Sequence, residues 1–425
     1  MSLPTLTTEI AFVSNPMGSQ TWTDVSAYVQ EWSIKRGRQY ELDRIEAGEA
    51  TIILTNPGQL FDPEYAGGAY YETIWPMRRI RITASWHEGG PMGPDYETIL
   101  FTGFIESWQP SWPDKKNSVI EVKAVDGFKV LAQAKLNTSY SSEKIETRIN
   151  NILDSISWST GNVWILDSAT NSQLGTSTIL GPAGDRLVDE GQSTLQAITL
   201  ADVTSLQHLQ DVVDSEMGMA FISGEGVFIF HGRHRLYHPP YTESQATFGD
   251  VDPYIRYIDL EYAFDDGKIY NDVRVTRTGG IEQTASNAAS QTKYLKRTLA
   301  RNNMHMTTDT EAKDQADFLL AQYKDLIDAA SGLPVMRIPQ IAIDIGDNSP
   351  SWYNLLARDL GDRVTINRKA PISLSHDHRI EGISHQIKGK VWTVTFQLSP
   401  IDSAGFWILD DAIYSVLGST TRLAA

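Results

Sequence analysis

Cysteine is absent from the chain, so no disulfide framework, cysteine zinc site or thiol nucleophile is available and packing alone must hold the fold. Long apolar runs are absent as well. No stretch of the roughly eighteen uncharged apolar residues needed to cross a bilayer as a helix occurs. The amino terminus, "MSLPTLTTEIAFV", lacks the basic start and apolar run of a secretory signal. The expectation is a soluble protein, made in a cytoplasm, with no stable membrane insertion. A basic surplus is missing too: 36 Lys and Arg stand against 53 Asp and Glu, for a net charge of −17 and a pI near 4.9. That excludes nucleic-acid binding through a broadly basic face, although an acidic surface would keep a passing polyanion from sticking. There is no GxSxG, P-loop, GxGxxG, HExxH or EF-hand loop. No catalytic, cofactor or metal residue is therefore assigned.

What is present is length and strand pattern. The 425 residues exceed one ordinary domain and suggest two to four. In "RRIRITASW", Ile80, Ile82, Ala84 and Trp86 alternate with Arg79, Arg81, Thr83 and Ser85, the period of a half-buried strand. The arginines of "MRRIRI" read as an outer face, solvated or in a subunit contact, rather than as a phosphate site. "SVIEVKAVDG" puts Ile120, Val122 and Ala124 on one face, and "WTVTFQL" does the same with Trp392, Val394, Phe396 and Leu398. "TNPGQLFDP" and "HEGGPMGPD" read as loops.

Helical spacing enters between these strands. Ile145, Ile149, Ile152, Leu153 and Ile156 predict a helix with Ser141 or Ser142 as its N-cap. Thr204 and Gln207 predict a capping box for a second helix, striped by Leu206, Leu209 and Val213 and ending before Gly218. Thr308 and Glu311 do the same for a third, lined by Ala312, Ala316, Leu319, Leu320, Tyr323 and Ile327 and stopped by Gly332 and Pro334. "MAFISGEGVFIF" reads as a hairpin turning at Gly224-Glu225-Gly226, and Asp265-Asp266-Gly267 as a hairpin turn. The fold class expected is mainly β with α+β insertions: two tube-like antiparallel β-barrels and a mixed α/β middle domain. The expected boundaries are 1–135 for the first barrel, 136–265 for the middle domain and 266–400 for the second barrel with one helix. Residues 401–425, with Phe406, Trp407, Ile408, Tyr414 and Leu417, are expected to dock on this chain or a neighbour.

A repeat is also visible. Arg79-Ile80-Arg81-Ile82, then "FTGFIESW", then "VIEVKA" matches in order Arg363-Val364-Thr365-Ile366, then "RIEGISHQ", then "WTVTFQL", with Gly103 aligned to Gly382. Duplication and chance likeness of meandering strands both explain it.

Candidate chemistry is thin. His231, His234 and His238 have the form H-x2-H-x3-H, but they leave a strand for a Pro-Pro loop and read as exposed polar residues. His376, His378 and His385 are read the same way. The densest charge is "RGRQYELDRIEAGEA", residues 36–50, where Arg36, Arg38 and Arg44 stand among Glu41, Asp43, Glu46 and Glu49. Arginines this close would lower carboxyl pKa values, which suits ion pairing better than proton transfer.

The stretch "SAYVQEWSIKRGRQYELDRIEAGEATIILTNPGQLFDP" resembles the opening of tail hub proteins of long-tailed bacteriophages: a strand, Arg-Gly-Arg, an Asp-Arg-x-x-x-Gly turn, and a strand ending before Phe-Asp-Pro. "PMRRIRITA", "LFTGFIESW" and "VKAVDGFKVLA" are similar to the rest of that family's first barrel, and "LQHLQDVVDSEMGMAFISGEGVFIFHGRHR" to its middle domain. "EAKDQADFLLAQY", "LGDRVTI" and "IEGISHQI" with "WTVTFQLSP" resemble its second barrel. The likeness is least over 157–200 and 281–300. It implies a structural, non-enzymatic homotrimer at the virion's tail tip. Three copies would each give two barrels to a ring that adapts a six-fold tail tube to three-fold tip parts and surrounds the DNA exit channel. The partners implied are distal tail or tail-tube ring proteins, the tape-measure protein, downstream tip or fibre proteins, and DNA only in passing. On that reading Arg36, Arg38, Glu41, Asp43, Arg44, Glu46 and Glu49 are expected at a subunit interface, with a network inside one subunit as the alternative. Two rivals stand beside it: a hexameric distal tail protein, and a tail-tip carbohydrate-binding or cell-wall-degrading protein with Trp22, Trp108 and Trp112 as candidate platforms.

Overall fold

Period-two sequence becomes strand throughout the computed structural model, which describes residues 3–87, 94–112, 118–158, 186–263, 267–325, 337–348, 352–369, 373–401, 405–406 and 421–422. The first unit contains β1 (Thr5–Ala11), β2 (Thr23–Asp24), β3 (Val29–Gly37), β4 (Glu46–Thr55), β5 (Arg79–His87), β6 (Asp95–Ser111) and β7 (Val119–Val125). They are hydrogen-bonded in the order β2-β1-β5-β6-β7-β4-β3. The first and last strands of that path follow one another in the chain, and Trp32 Nε1 of β3 donates to Thr8 Oγ1 of β1 at 2.8 Å, so the sheet curls on itself. Ile80, Ile82, Ala84, Ile120, Val122 and Ala124 all point into the core, as their spacing predicts. Each isoleucine or valine among them contributes about 1.5–3 kcal/mol of transfer free energy.

A middle segment follows. It holds α1 (Phe128–Gln133), α2 (Ile145–Ser155), β8 (Arg186–Val188), α3 (Ser205–Glu216), β9 (Met219–Ile222) and β10 (Phe228–His231). The β9–β10 hairpin turns at the expected glycines, and β8 adds to it in parallel. Thr204 caps α3 by accepting from Gln207 N at 3.2 Å. The left-handed residue that ends it is Met217, at φ 58°, not Gly218. Neither Ser141 nor Ser142 caps α2: Lys144 holds the N-cap position, and Ser142 Oγ donates to Leu195 O instead.

The second unit contains β11 (Ala246–Gly249), β12 (Ile255–Arg256), β13 (Asp259–Ala263), β17 (Arg337–Asp344), β18 (Arg363–Arg368), β19 (Leu374–Lys388) and β20 (Val391–Pro400). Their order is β12-β11-β18-β19-β20-β17-β13. This is the first unit's order, strand for strand, in the same chain sequence. Only β11 differs in direction, running parallel to β12 and β18 where β1 is antiparallel to its neighbours. The strands over 246–263 pair with strands of 337–368, so the expected middle-domain boundary at 265 is corrected to a point before Ala246.

Bulges fix the equivalence between the units. In β6 the register against β7 shifts between Ile105 and Ser107, and in β19 the register against β20 shifts between Ile380 and Gly382. With the bulges matched, Arg79 opposite Phe104 corresponds to Arg363 opposite Arg379. The repeat of Arg79–Ile82 with Arg363–Ile366 is therefore real at the level of pairing. Gly382 corresponds to Ser107 rather than to Gly103.

Between β13 and β17 the second unit carries an insert: β14 (Asp272–Arg277), β15 (Gln283–Ser286), α4 (Ala288–Tyr294), β16 (Thr298–Met304) and α5 (Asp309–Tyr323). Thr308 caps α5, accepting from Glu311 N at 3.2 Å, and Ala312, Ala316, Leu319 and Tyr323 are buried as predicted. This insert has a core of its own, built on Val273, Val275, Met304 and Met306. One larger core runs through both seven-strand units and the middle segment. A last helix, α6 (Trp352–Leu356), precedes β18. Ile327, Gly332, Pro334, Asp265, Asp266 and the side chains of Phe406, Trp407, Ile408, Tyr414 and Leu417 lie outside the described residues. Of the carboxyl-terminal segment, Gly405–Phe406 pairs in parallel with Thr421–Arg422.

Candidate functional site

The two units meet along one strand pair, and the charged segment begins on it. Residues 374–379 of β19 pair with β18; after the bulge, residues 382–388 pair antiparallel with β3 from Gly37–Gly382 to Glu31–Lys388. Gly37 is at φ 92°, and a Cβ there would lie 2.3 Å from Glu381 O. Only glycine fits that conformation at that approach. This is the physical content of Arg-Gly-Arg: the glycine lets the two strands touch, and the flanking arginines turn to opposite anchors. Arg36 Nη1 reaches Asp359 Oδ1 at 2.9 Å and Ile222 O at 3.4 Å. Arg38 Nε donates to Glu381 Oε2 at 2.7 Å, and Arg38 N to Glu381 O at 2.8 Å. Glu381 is 1% exposed, and its other oxygen accepts from Ser399 Oγ at 2.5 Å.

The rest of the segment pairs with the middle segment, the insert and β17 of the second unit. Arg44 spans Asp211 and Asp214 on α3, at 2.7 and 2.6 Å. Glu41 meets Arg337 at 3.1 Å. Leu42 packs on the insert's core, and its carbonyl accepts from Arg301 Nη2 at 2.8 Å. Lys268 lies 3.5 Å above the Tyr40 ring. Gly48 N donates to Asp126 Oδ2 at 2.6 Å, and Asp126 Oδ1 accepts from Phe128 N at the start of α1. Burial pushes the Asp126 carboxyl up to about 7 against those two hydrogen bonds. All three arginines and Glu41 are thus engaged within the chain, whereas Asp43, Glu46 and Glu49 are exposed.

Beneath Arg36 lies a cavity of about 100 Å³ lined by Arg36, Ser223, Glu225, Tyr241, Asp359 and His385, among others. Its carboxyls are answered from inside: Glu225 by Ser223 Oγ at 2.9 Å, Asp359 by Arg36, and Asp362 by Arg358 at 3.0 Å. Burial raises Glu225, and raises Asp362 to about 6. Raised carboxyls beside an arginine are also the raw material of acid–base catalysis. Here Glu225 and Asp362 are each held by a partner close in sequence, Ser223 and Arg358, and Asp359 joins the two units through Arg36.

Of the histidines read as exposed, His234 and His238 are exposed, His376 is half-buried, and His231, His378 and His385 are buried. His231 is buried, with Nδ1 2.7 Å from Asp189 Oδ2 and Nε2 2.9 Å from Tyr241 OH. His378 and His385 are buried in the second unit, where desolvation pushes them down to about 4 and about 3. Among the described residues, no group of three His, Cys, Asp or Glu is placed to hold a metal ion. Arg79, expected on an outer face, is 1% exposed over the Phe104 ring, and its Nη1 donates to Pro16 O at 3.5 Å. Desolvation lowers it to about 9. Trp22 lies under Arg81, Trp108 donates to Trp75 O, and Trp112 projects into solvent.

No protein-family model matches the sequence, and no curated protein does. Solved structures match the fold. The 43 kDa tail protein of prophage MuSo2 from Shewanella oneidensis aligns with a TM-score of 0.58 at 11% identity, over 93% of this chain and 98% of that one. The tail protein of Neisseria meningitidis MC58 aligns with a TM-score of 0.57 at 11% identity, over 99% of each chain. The fold of this chain is that of phage tail proteins.

Proposed function

We propose that this protein is the structural hub of a phage tail tip. Three copies form a ring whose six strand units mate with a six-fold tail tube and surround the channel through which DNA leaves. The observation that carries this reading is the pair of units with one strand order, fused edge to edge at β3–β19. A chain with two equivalent units presents a six-fold face from three copies. The charged segment then acts first within the subunit: Arg36 and Arg38 brace the joint, Arg44 and Glu41 brace its neighbours, and Asp43, Glu46 and Glu49 remain for contact with the adjoining ring. Distal tail or tube proteins above, the tape-measure protein and DNA within, and tip or fibre proteins below are the partners of such a ring. The role is mechanical and not enzymatic. With a net charge of −17, the surface favours release of DNA over capture.

Native mass spectrometry of the purified chain tests the proposal. A three-subunit species is expected. A six-subunit species would instead favour the hexameric distal ring, which needs only one unit per chain.

A further inference from the structure

The β3–β19 joint has an unfilled counterpart. In the second unit, β19 changes neighbour at its bulge: before it the partner is β18, after it the partner is β3 of the other unit. In the first unit, β6 pairs with β5 through Phe104 and then passes its own bulge. Beyond that, its edge over Gln109–Ser111 has no strand partner among the described residues. The strand equivalent to β3 is β13, which pairs with β17 and has no strand on its other edge among the described residues. Both edges are exposed and carry large apolar side chains: Trp112 is 59% exposed at the end of β6, and Ile258 is 56% exposed at the start of β13. Unpaired edges of this kind are templates for another strand. Each chain therefore offers one half of the joint at each end.

We infer that β13 of one copy pairs antiparallel with the outer end of β6 of the next, repeating between subunits the joint that β3 and β19 make within one. This rests on the hub reading for the number of copies, but the joint itself follows from the repeat. Its register can be written from matched pairs. Trp32 lies opposite Ile52 as Leu260 lies opposite Ile341, so Trp32 corresponds to Leu260 and Ser33 to Glu261. Trp108 lies opposite Val122 as Ile383 lies opposite Phe396, which carries Gln386 onto Ser111 and Ile387 onto Trp112. Within the chain, Trp32 faces Ile387 and Ser33 faces Gln386, whose Nε2 donates to Ser33 Oγ at 2.7 Å. Between chains, Leu260 faces Trp112 and Glu261 faces Ser111. Both pairs keep their chemistry with the sides exchanged: an aromatic against a branched aliphatic, and a long polar side chain against a serine. The sequence of each edge thus complements the other edge rather than itself. A head-to-tail contact follows, and such contacts give a ring when their rotation closes.

The absence of cysteine makes the test clean. Leu260→Cys and Trp112→Cys are introduced together in the full chain and treated with a short bis-maleimide. The expected products are covalent dimers and trimers of the 47.4 kDa chain, with neither single variant giving trimers. Leu260→Arg alone, with its thermal transition retained, is expected to lower the assembled fraction at least tenfold. A native trimer in which the double variant forms no interchain link overturns the joint and leaves the hub reading standing. A native monomer overturns both. A native hexamer that does crosslink keeps the joint and replaces the trimer.

Discussion

Single residues explain why the charged segment is written as it is. Arg38 and Glu381 form a nearly buried pair, 15% and 1% exposed. Removing one partner of such a pair costs about 3–5 kcal/mol, because the other charge stays buried. Arg38→Glu sets two carboxylates against each other at the joint and is expected to unfold the chain, not merely to block assembly. Combining it with Glu381→Arg should restore part of the melting temperature, whereas Glu46→Lys or Glu49→Lys should leave it nearly unchanged. An Arg38→Glu chain as stable as wild type would remove the bracing role. Titration supplies a second expectation. His385 accepts from Trp392 Nε1 at 3.3 Å and lies near Arg36, and burial followed by that charge pushes it down to about 3. An unfolded histidine takes its proton near pH 6.5. As pH falls below that value the unfolded state binds protons that the folded state refuses, and stability is lost. Asp126 and Asp362 act in the opposite sense, since their folded pKa values are raised to about 7 and about 6 and they bind protons before the unfolded chain does. His385→Gln should therefore flatten the loss of denaturation free energy between about pH 6 and pH 4. Equal slopes in the two proteins would contradict it.

Elements were legible in the sequence where the cause was local. Threonine N-caps set the starts of α3 and α5, and strict alternation set β5, β7 and β20, because both signals are carried by residues a few positions apart. The Arg-Gly-Arg and Asp-Arg-x-x-x-Gly patterns were also visible, though their reason was not: Gly37 answers to Glu381 and Gly48 to Asp126, partners distant in sequence. Nonlocal causes produced the misreadings. Arg79 obeys strand alternation, yet it is buried, with Pro16 O, 63 positions away, as an acceptor. Gly103 and Gly382 match in sequence order, whereas the bulges align Gly382 with Ser107. α1 is six residues long and α6 five, too short for a periodic stripe to form, so neither could be read in advance. The strands over 246–263 are short, and their pairing with 337–368 passes around an insert that no local pattern announces.

For the whole molecule, the arrangement of cores matters more than the count of strands. A single apolar core runs from Ile10 in β1 through Leu209 in α3 to Leu398 in β20, so the two units and the middle segment should open together. The insert stands apart, with its own smaller core and a boundary that carries polar contacts beside the apolar ones of Leu42 and Met217: Gln315 with the Asp214 carbonyl, Arg301 with the Leu42 carbonyl, and Lys268 over Tyr40. Regions with few buried apolar contacts open at lower free energy than the global transition, and amide exchange reports that difference directly. Deuterium uptake in Asp272–Arg277 and Thr298–Met304 should therefore run ahead of uptake in β4, β7 and β20, even though all are paired strands. Docking of a neighbouring subunit at β13, the strand that leads into the insert, should slow exchange there and leave the shared core unchanged. Uniform protection across the insert and the shared core would mean that this boundary couples the two cores as strongly as apolar packing does.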